Sequence, residues 1–264
     1  MSRQLVRDSI AAVVVISATI GLALWYEPAD QISQADEFDR RSPSGPVEVS
    51  GTVNLSNQRI YSFSLKQDEA DRLTRVSFPN VTLVTYRHRS SNRSYLLVDA
   101  ESDRELEQSV EQYADEPDES VIRWDNESRQ AVIVDRKTGP KPDRQPPSLV
   151  HDLIAIPHYE PTGTTTAMGT GVTIYRPTNG WYDEPGRFLT SDTVRVSGVS
   201  GVMLVDHSTD RLVYSNVSYL AIPAKTWGMF LYRRLVGETH GTEVDYRYRS
   251  GSTALDRPTW VSDG

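Results

Sequence analysis

The chain is 264 residues long, with a formal net charge of -8 and 38% hydrophobic residues, which is enough apolar material for a real core and too much for a disordered polymer. It contains no cysteine, which excludes disulfides and lipid-modified thiols. Its acidic balance, with no concentrated basic patch, excludes nucleic acid as a partner, because phosphates are neutralised by clustered Lys and Arg.

From the N-terminus, residues 1–9 carry Arg3 and Arg7, and residues 10–26, IAAVVVISATIGLALWY, form a run of 17 residues without a charge. At helical rise this run spans about 25 Å, slightly less than the hydrocarbon core of a bilayer. Glu27, Asp30, Asp36, Glu37 and Asp39 follow it, so the positive-inside bias leaves residues 1–9 in the cytoplasm and everything after the run outside. Trp25 and Tyr26 stand at its outer boundary, where amphipathic rings anchor a helix among headgroups. The expectation is a transmembrane signal-anchor that contacts membrane lipid through residues 10–26. A cleaved signal peptide competes, with Gly21-Leu22-Ala23 offering small residues to a peptidase, and a buried core helix is the weaker third reading because the run has no polar stripe.

Residues 27–46 are acidic, polar and interrupted by Pro, and read as a stalk that lifts the folded part off the membrane. From Val47 the pattern alternates with a period of two. Val47, Val49 and Val53, then Ile60, Phe63 and Leu65, form a first expected hairpin, and Thr82–Arg89 with Ser94–Val98 a second. Ser102-Asp103-Arg104-Glu105 is a capping-box pattern ahead of Leu106, Val110 and Tyr113, so a short helix is expected over Asp103–Ala114. Val121–Trp124 and Ala131–Val134 flank a third turn. Residues 137–148, KTGPKPDRQPPS, carry four Pro, cannot sustain a helix or central strand, and mark a linker between a first ectodomain at 47–136 and a second at 149–264. In the second, strands are expected at Leu149–Ile156, Gly171–Tyr175, Val194–Val199, Val202–Val205, Leu212–Leu220, Met229–Leu235 and Val244–Tyr248. The fold class is therefore mainly β: a membrane helix followed by two antiparallel, sandwich or barrel-like domains, with one short helix in the first.

The phrase Leu97-Val98-Asp99-x-x-Ser102-Asp103-Arg104 recurs at Leu204–Arg211 and in part at Ile133–Gly139. It reads as a strand whose closing Asp hydrogen-bonds a tight turn, not as a sustained repeat.

Five of the seven Asn begin an Asn-x-Ser/Thr sequon: Asn54, Asn80, Asn92, Asn126 and Asn216, where chance predicts about one. This points to N-glycosylation and so to export. Lys is rare, four against 24 Arg, and Asp outnumbers Glu by 21 to 15. An acidic, Lys-poor surface is a halophilic habit, although high-GC coding gives the same Arg bias. Between Glu101 and Glu119 there are nine carboxylates and one Arg, which reads first as a solvated helix face. Asp99, Glu101, Asp103 and Glu105 alternate as calcium ligands do, but the sixth loop position is Arg104 in place of Gly and the twelfth is Val110 in place of Glu.

No catalytic constellation is visible. His88, His151, His158, His207 and His240 are scattered, Ser200 lacks the spacing of a nucleophile elbow, and the Gly163–Gly171 stretch lacks the Lys of a phosphate loop. Trp124, Trp181, Trp227 and Trp260 fit a β core better than a sugar-binding face. The expected role is surface structure, assembly or binding, with other surface or envelope proteins as partners and no cofactor beyond a possible calcium. The alternatives are a surface-anchored hydrolase with an unrecognised carboxylate site and a structural protein of a virion or envelope.

Overall fold

The computed structural model describes residues 31–32, 45–56, 60–88, 93–114, 119–135, 146–183, 193–251 and 254–261. The expected membrane span, most of the stalk and Asn92 lie outside them. The described chain is mainly β, with fourteen strands hydrogen-bonded into one large sheet and three helices among the described residues.

In chain order the elements are β1 (Gln31–Ile32), β2 (Val47–Leu55), β3 (Ile60–Gln67), β4 (Asp71–Ser77), β5 (Val81–His88), β6 (Ser94–Ala100), α1 (Asp103–Tyr113), β7 (Glu119–Asp125) and β8 (Gln130–Asp135). They are followed by α2 (Pro146–Ile154), β9 (Tyr159–Ala167), β10 (Thr170–Pro177), β11 (Gly180–Asp183), β12 (Thr193–Asp206), β13 (Leu212–Pro223), α3 (Trp227–Leu235) and β14 (His240–Ser250). The order across the sheet is β1-β11-β12-β13-β14-β2-β3-β4-β5-β6-β8-β7, with β10 on the second half of β12 and β9 beyond it. All pairings are antiparallel except β1 on β11. Strands before and after the Pro-rich segment thus share one sheet, joined where β14 pairs with β2 from Val47↔Ser250 to Leu55↔Thr242.

That junction depends on Gly51. A Cβ there would lie 2.3 Å from the Asp245 carbonyl oxygen and 2.7 Å from the Phe63 ring. The missing side chain lets Phe63 of β3 and Tyr246 of β14, both cross-strand neighbours of Gly51, bring their rings to 6.5 Å. Tyr246 meets the His151 ring of α2 edge-on at 5.1 Å. Around this line the inner faces of β2, β3, β12, β13 and β14 supply Val49, Leu65, Met203, Val217 and Val244, all fully buried, and α2 adds Val150 and Ile154. Each such side chain contributes about 1.5–3 kcal/mol of burial.

The opposite wing of the sheet is covered on both faces. Leu106 and Val110 of α1 pack on Val98, Ala100, Ala131 and Ile133. On the other face Val261 and Trp260 of the C-terminal segment close over Tyr86, Tyr95 and Val134. The Leu255 N–H donates to the Asp68 carboxylate at 3.1 Å, tying that segment to the β3–β4 turn.

Two expected strands are helices. Leu149–Ile156 lies largely in α2, which begins inside the Pro-rich stretch at Pro146. Proline is tolerated in a first helical turn because no intrahelical N–H is needed there. The last carbonyls of α2 are satisfied from the sheet: Tyr219 Oη donates to the Leu153 oxygen at 2.7 Å and Tyr159 Oη to the Ile154 oxygen at 2.5 Å. Met229–Leu235 lies in α3, started by Thr226, whose hydroxyl accepts from the Met229 N–H at 3.2 Å, and favoured at its end by Arg233 and Arg234 against the helix dipole. An apolar run this short has no periodicity that separates helix from strand. Strands β4, β9 and β11 are further elements that pattern alone does not reveal. The expected strands Val194–Val199 and Val202–Val205 are one strand, β12, with a bulge between Ser197 and Ser200. The Gly-rich Gly163–Gly171 stretch is the β9–β10 hairpin, turned at Met168 and Gly169 with φ of 52° and 83°, a type I′ geometry.

Because the Gly51 clash is with backbone and with a packed ring, Gly51→Ala should destabilise the protein by about 1–3 kcal/mol. Gly163→Ala, where a Cβ would meet nothing within 4 Å, should stay within about 0.5 kcal/mol of the parent. Chemical denaturation midpoints of the two variants check the pair, and equal midpoints would contradict the role given to Gly51.

Candidate functional site

The acidic run is built on α1. Ser102 is the expected N-cap: its hydroxyl accepts from the Glu105 N–H at 3.3 Å, and the same hydroxyl donates to Glu105 Oε2 at 2.8 Å. Asn80 Nδ2 donates to Glu105 Oε1 at 2.5 Å. Both oxygens of Glu105 are thus engaged by neutral donors from the cap and the β4–β5 turn. Asp99 is exposed at the end of β6, opposite Thr82 and Gln130. Glu101 is exposed in the following turn, where its carbonyl accepts from the Arg129 guanidinium, and Asp103 is exposed at the first helical position. Among the described residues no three His, Asp or Glu side chains gather in a way that could hold a metal ion. Glu107 and Glu111 face solvent while Leu106 and Val110 face the sheet, the arrangement of a solvated helix face.

The four described sequon asparagines all reach the surface. Asn80 and Asn126 are exposed in the β4–β5 and β7–β8 turns. Asn54 and Asn216 lie on β2 and β13, either side of β14, and donate to Glu243 at 3.2 Å and Asp245 at 3.4 Å. Alternation explains this placement: Val53 and Val217, one position away, are fully buried.

The recurring phrase acts as expected at Asp206. Asp206 Oδ1 accepts from the Ser208 N–H at 2.7 Å, the Ser208 hydroxyl at 2.6 Å and the Thr209 N–H at 3.2 Å, and Asp210 takes a φ of 51°. The same device recurs at two positions outside the phrase: Asp68, which accepts from Ala70 and Asp71, and Asp125, which accepts from Glu127 and Ser128. Hydrogen bonds, led by that of the Ser208 hydroxyl, hold Asp206 below the usual carboxylate value.

The histidines occupy separate settings. His88 Nδ1 lies 2.6 Å from Asp71 Oδ1, which also accepts from Tyr86 Oη at 2.8 Å. Burial, then the bond to Asp71, pushes the Tyr86 phenol up to about 12. His151 is buried in the core against Tyr246, and His207 Nδ1 meets Thr173 Oγ1 at 3.2 Å. Ser200 sits in β12 against Ser218, 2.8 Å away, and its position is the bulge of a strand.

The tryptophans divide. Trp124 is exposed on the edge strand β7 beside Val121 and Ile122, and its Nε1 donates to the Asn126 side chain. Trp260 packs in the C-terminal segment. Trp181 of β11 and Trp227 of α3 stack edge-on at 5.3 Å, with Phe230 within 6.0 Å of both and the Arg195 guanidinium 5.8 Å from each indole. Such a cluster is worth more than its area because rings and guanidinium align electrostatically. Burial lowers Arg195 below its usual value. This cluster is the feature that sequence pattern missed, because its helix reads as a strand.

Two measurements follow. Asp206 has a depressed folded value, so the stability it confers is complete above its unfolded value near 3.8 and is lost as pH falls through the folded one. Asp206→Ala should cost about 1–2 kcal/mol at neutral pH, and the gap to the parent should narrow in denaturation curves as pH falls through the folded value. The acidic helix face should make the melting temperature rise between low and molar salt, where the screening length falls to about 3 Å; an unchanged melt would mean that repulsion there is negligible. Comparison of the chain with known protein families and with characterised proteins finds no match, so the functional reading rests on its own residues and geometry.

Proposed function

We propose that this chain is a single-pass membrane protein, N-terminus inside, whose β-rich ectodomain is N-glycosylated and serves in surface structure, assembly or binding. The observation that carries the reading is the uncharged run at 10–26, with Arg3 and Arg7 before it and five carboxylates after it by residue 39. Support comes from the sequons, since Asn54, Asn80, Asn126 and Asn216 are all open to solvent to some degree and a transferase needs an accessible asparagine. Among the described residues no helix is long and apolar enough to cross a membrane, so residues 10–26 are the segment assigned to the bilayer. The two β-rich regions on either side of the Pro-rich segment act as the exposed part, with other surface or envelope proteins as partners.

Protease added to intact cells should remove the chain from Val47 onward and leave a small stub in the membrane fraction, while mass spectrometry of the native protein should find sugar on Asn80 and Asn126. Full protection from protease would overturn the orientation. Bare asparagines at every sequon would remove the glycoprotein reading.

A further inference from the structure

Helix α3 buries one side and leaves the other apolar. Phe230 is buried and Met229 partly so, packed on Trp181, Ile222 and Ala224. Trp227, Leu231 and Leu235, spaced four apart and so aligned on one face, are exposed, Leu235 by 86%. Tyr232 at 64% and Val236 extend the same surface. A nine-residue helix with large apolar groups on its outer face is unusual on a free surface and marks a contact. Lys225 and Arg234 are exposed at its two ends, and Arg233 in the last turn is bridged by Glu238 at 3.5 Å. Trp, Tyr and Leu rimmed by Lys and Arg is the composition of a helix that lies in a bilayer interface. A protein core partner would not call for the basic rim.

The chain path says which surface it meets. β1 begins at Gln31, and Gln31 and Ile32 pair with Trp181 and Tyr182, so the strand lies beside the indole on which α3 is packed. Tyr26, the last residue of the proposed span, is five residues before Gln31, a reach of no more than about 18 Å when fully extended. The headgroup layer takes up about 5–8 Å of that. The tether therefore brings β1, β11 and α3 to the membrane before any other part of the sheet.

We propose that α3 is an interfacial docking helix, which seats its Trp227-Leu231-Leu235 face in the outer leaflet, prefers anionic headgroups, and holds the ectodomain against the bilayer in a fixed orientation. This rests on the single-pass reading for its geometry, and the test separates the two. The chain has no cysteine, so a single introduced thiol can carry an environment-sensitive fluorophore in the full-length protein. Leu235→Cys changes a nearly bare position, and Glu107→Cys on α1 serves as the distant control.

Each labelled protein is reconstituted in phosphatidylcholine–phosphatidylglycerol vesicles with and without a lipid carrying a spin label near its headgroup. The Leu235→Cys label should lose roughly half its emission to the spin-labelled lipid and the Glu107→Cys label almost none, as expected for a face buried at the headgroup boundary. Adding Leu231→Asp should restore most of the loss. Alkaline carbonate extraction of the same vesicles reads the anchor separately. A chain that resists carbonate but whose Leu235→Cys label is untouched by spin-labelled lipid keeps its anchor and overturns the docking helix. A chain that carbonate releases, yet whose label is quenched on vesicles at neutral pH, supports the docking helix and overturns the anchor. A label that is shielded without lipid quenching, and exposed again when the protein is diluted into excess lipid, identifies a second copy as the occupant and also overturns the proposal.

Discussion

The whole sheet turns on one absence of atoms, the missing side chain at Gly51. β14 can approach β2 only because nothing stands between the Asp245 carbonyl and the Phe63 ring, and the contact so made aligns Phe63, Tyr246 and His151 in one line from sheet to helix. Packed interiors transmit such constraints because they have few voids in which to relax. The seating of α2 follows from it, since Tyr246 sets the floor on which His151 rests while Tyr219 and Tyr159 hold the helix end. A core of this kind is held by shape as much as by area. Two of its phenols, those of Tyr219 and Tyr159, reach the carbonyls that the end of α2 leaves unsatisfied.

Much of this was legible in the residues, and the failures have a common cause. β2, β3 and β14 each have one buried and one more open face, so their apolar residues alternate with polar ones and a period of two is visible. The cap of α1 was equally plain, because Ser102 and Glu105 stand at the fixed spacing that the first helical turn demands. α2 and α3 are short and apolar on more than one side, which erases the distinction between a helix and a buried strand. β9 is almost wholly exposed and rich in Thr, so it has no apolar rhythm to read. Nor could spacing alone foretell that β14 would cross back to β2, since register between distant strands is written in a close approach at one glycine and not in any local pattern.

The candidate site was legible in chemistry but not in place. Asparagine usage gave the sequons, and their exposure follows from alternation on β2 and β13 and from turn geometry elsewhere. Carboxylate density gave the acidic face, and the cap of α1 explains why Glu105 is occupied by neighbouring donors. The aromatic cluster of Trp181, Trp227 and Phe230 needed three elements to meet, and one of them reads as the wrong secondary structure. Function at a surface of this kind lies in the juxtaposition of elements far apart in the chain, which no window of sequence contains.

The pairing of β14 with β2 also sets an order of events in the life of the chain. Asn54 and Glu243, hydrogen-bonded across that junction, are 189 positions apart. As the polypeptide emerges from the ribosome, β2 to β8 can zip together by neighbouring hairpins, whereas the outer edge of β2 must wait until nearly the last strand is made. Until then the nascent protein carries an unpaired edge with Val47, Val49 and Val53 behind it, the kind of edge on which chains aggregate. Closing so long a loop is also slow. Assembly thus ends near the place where the sheet's sequence began.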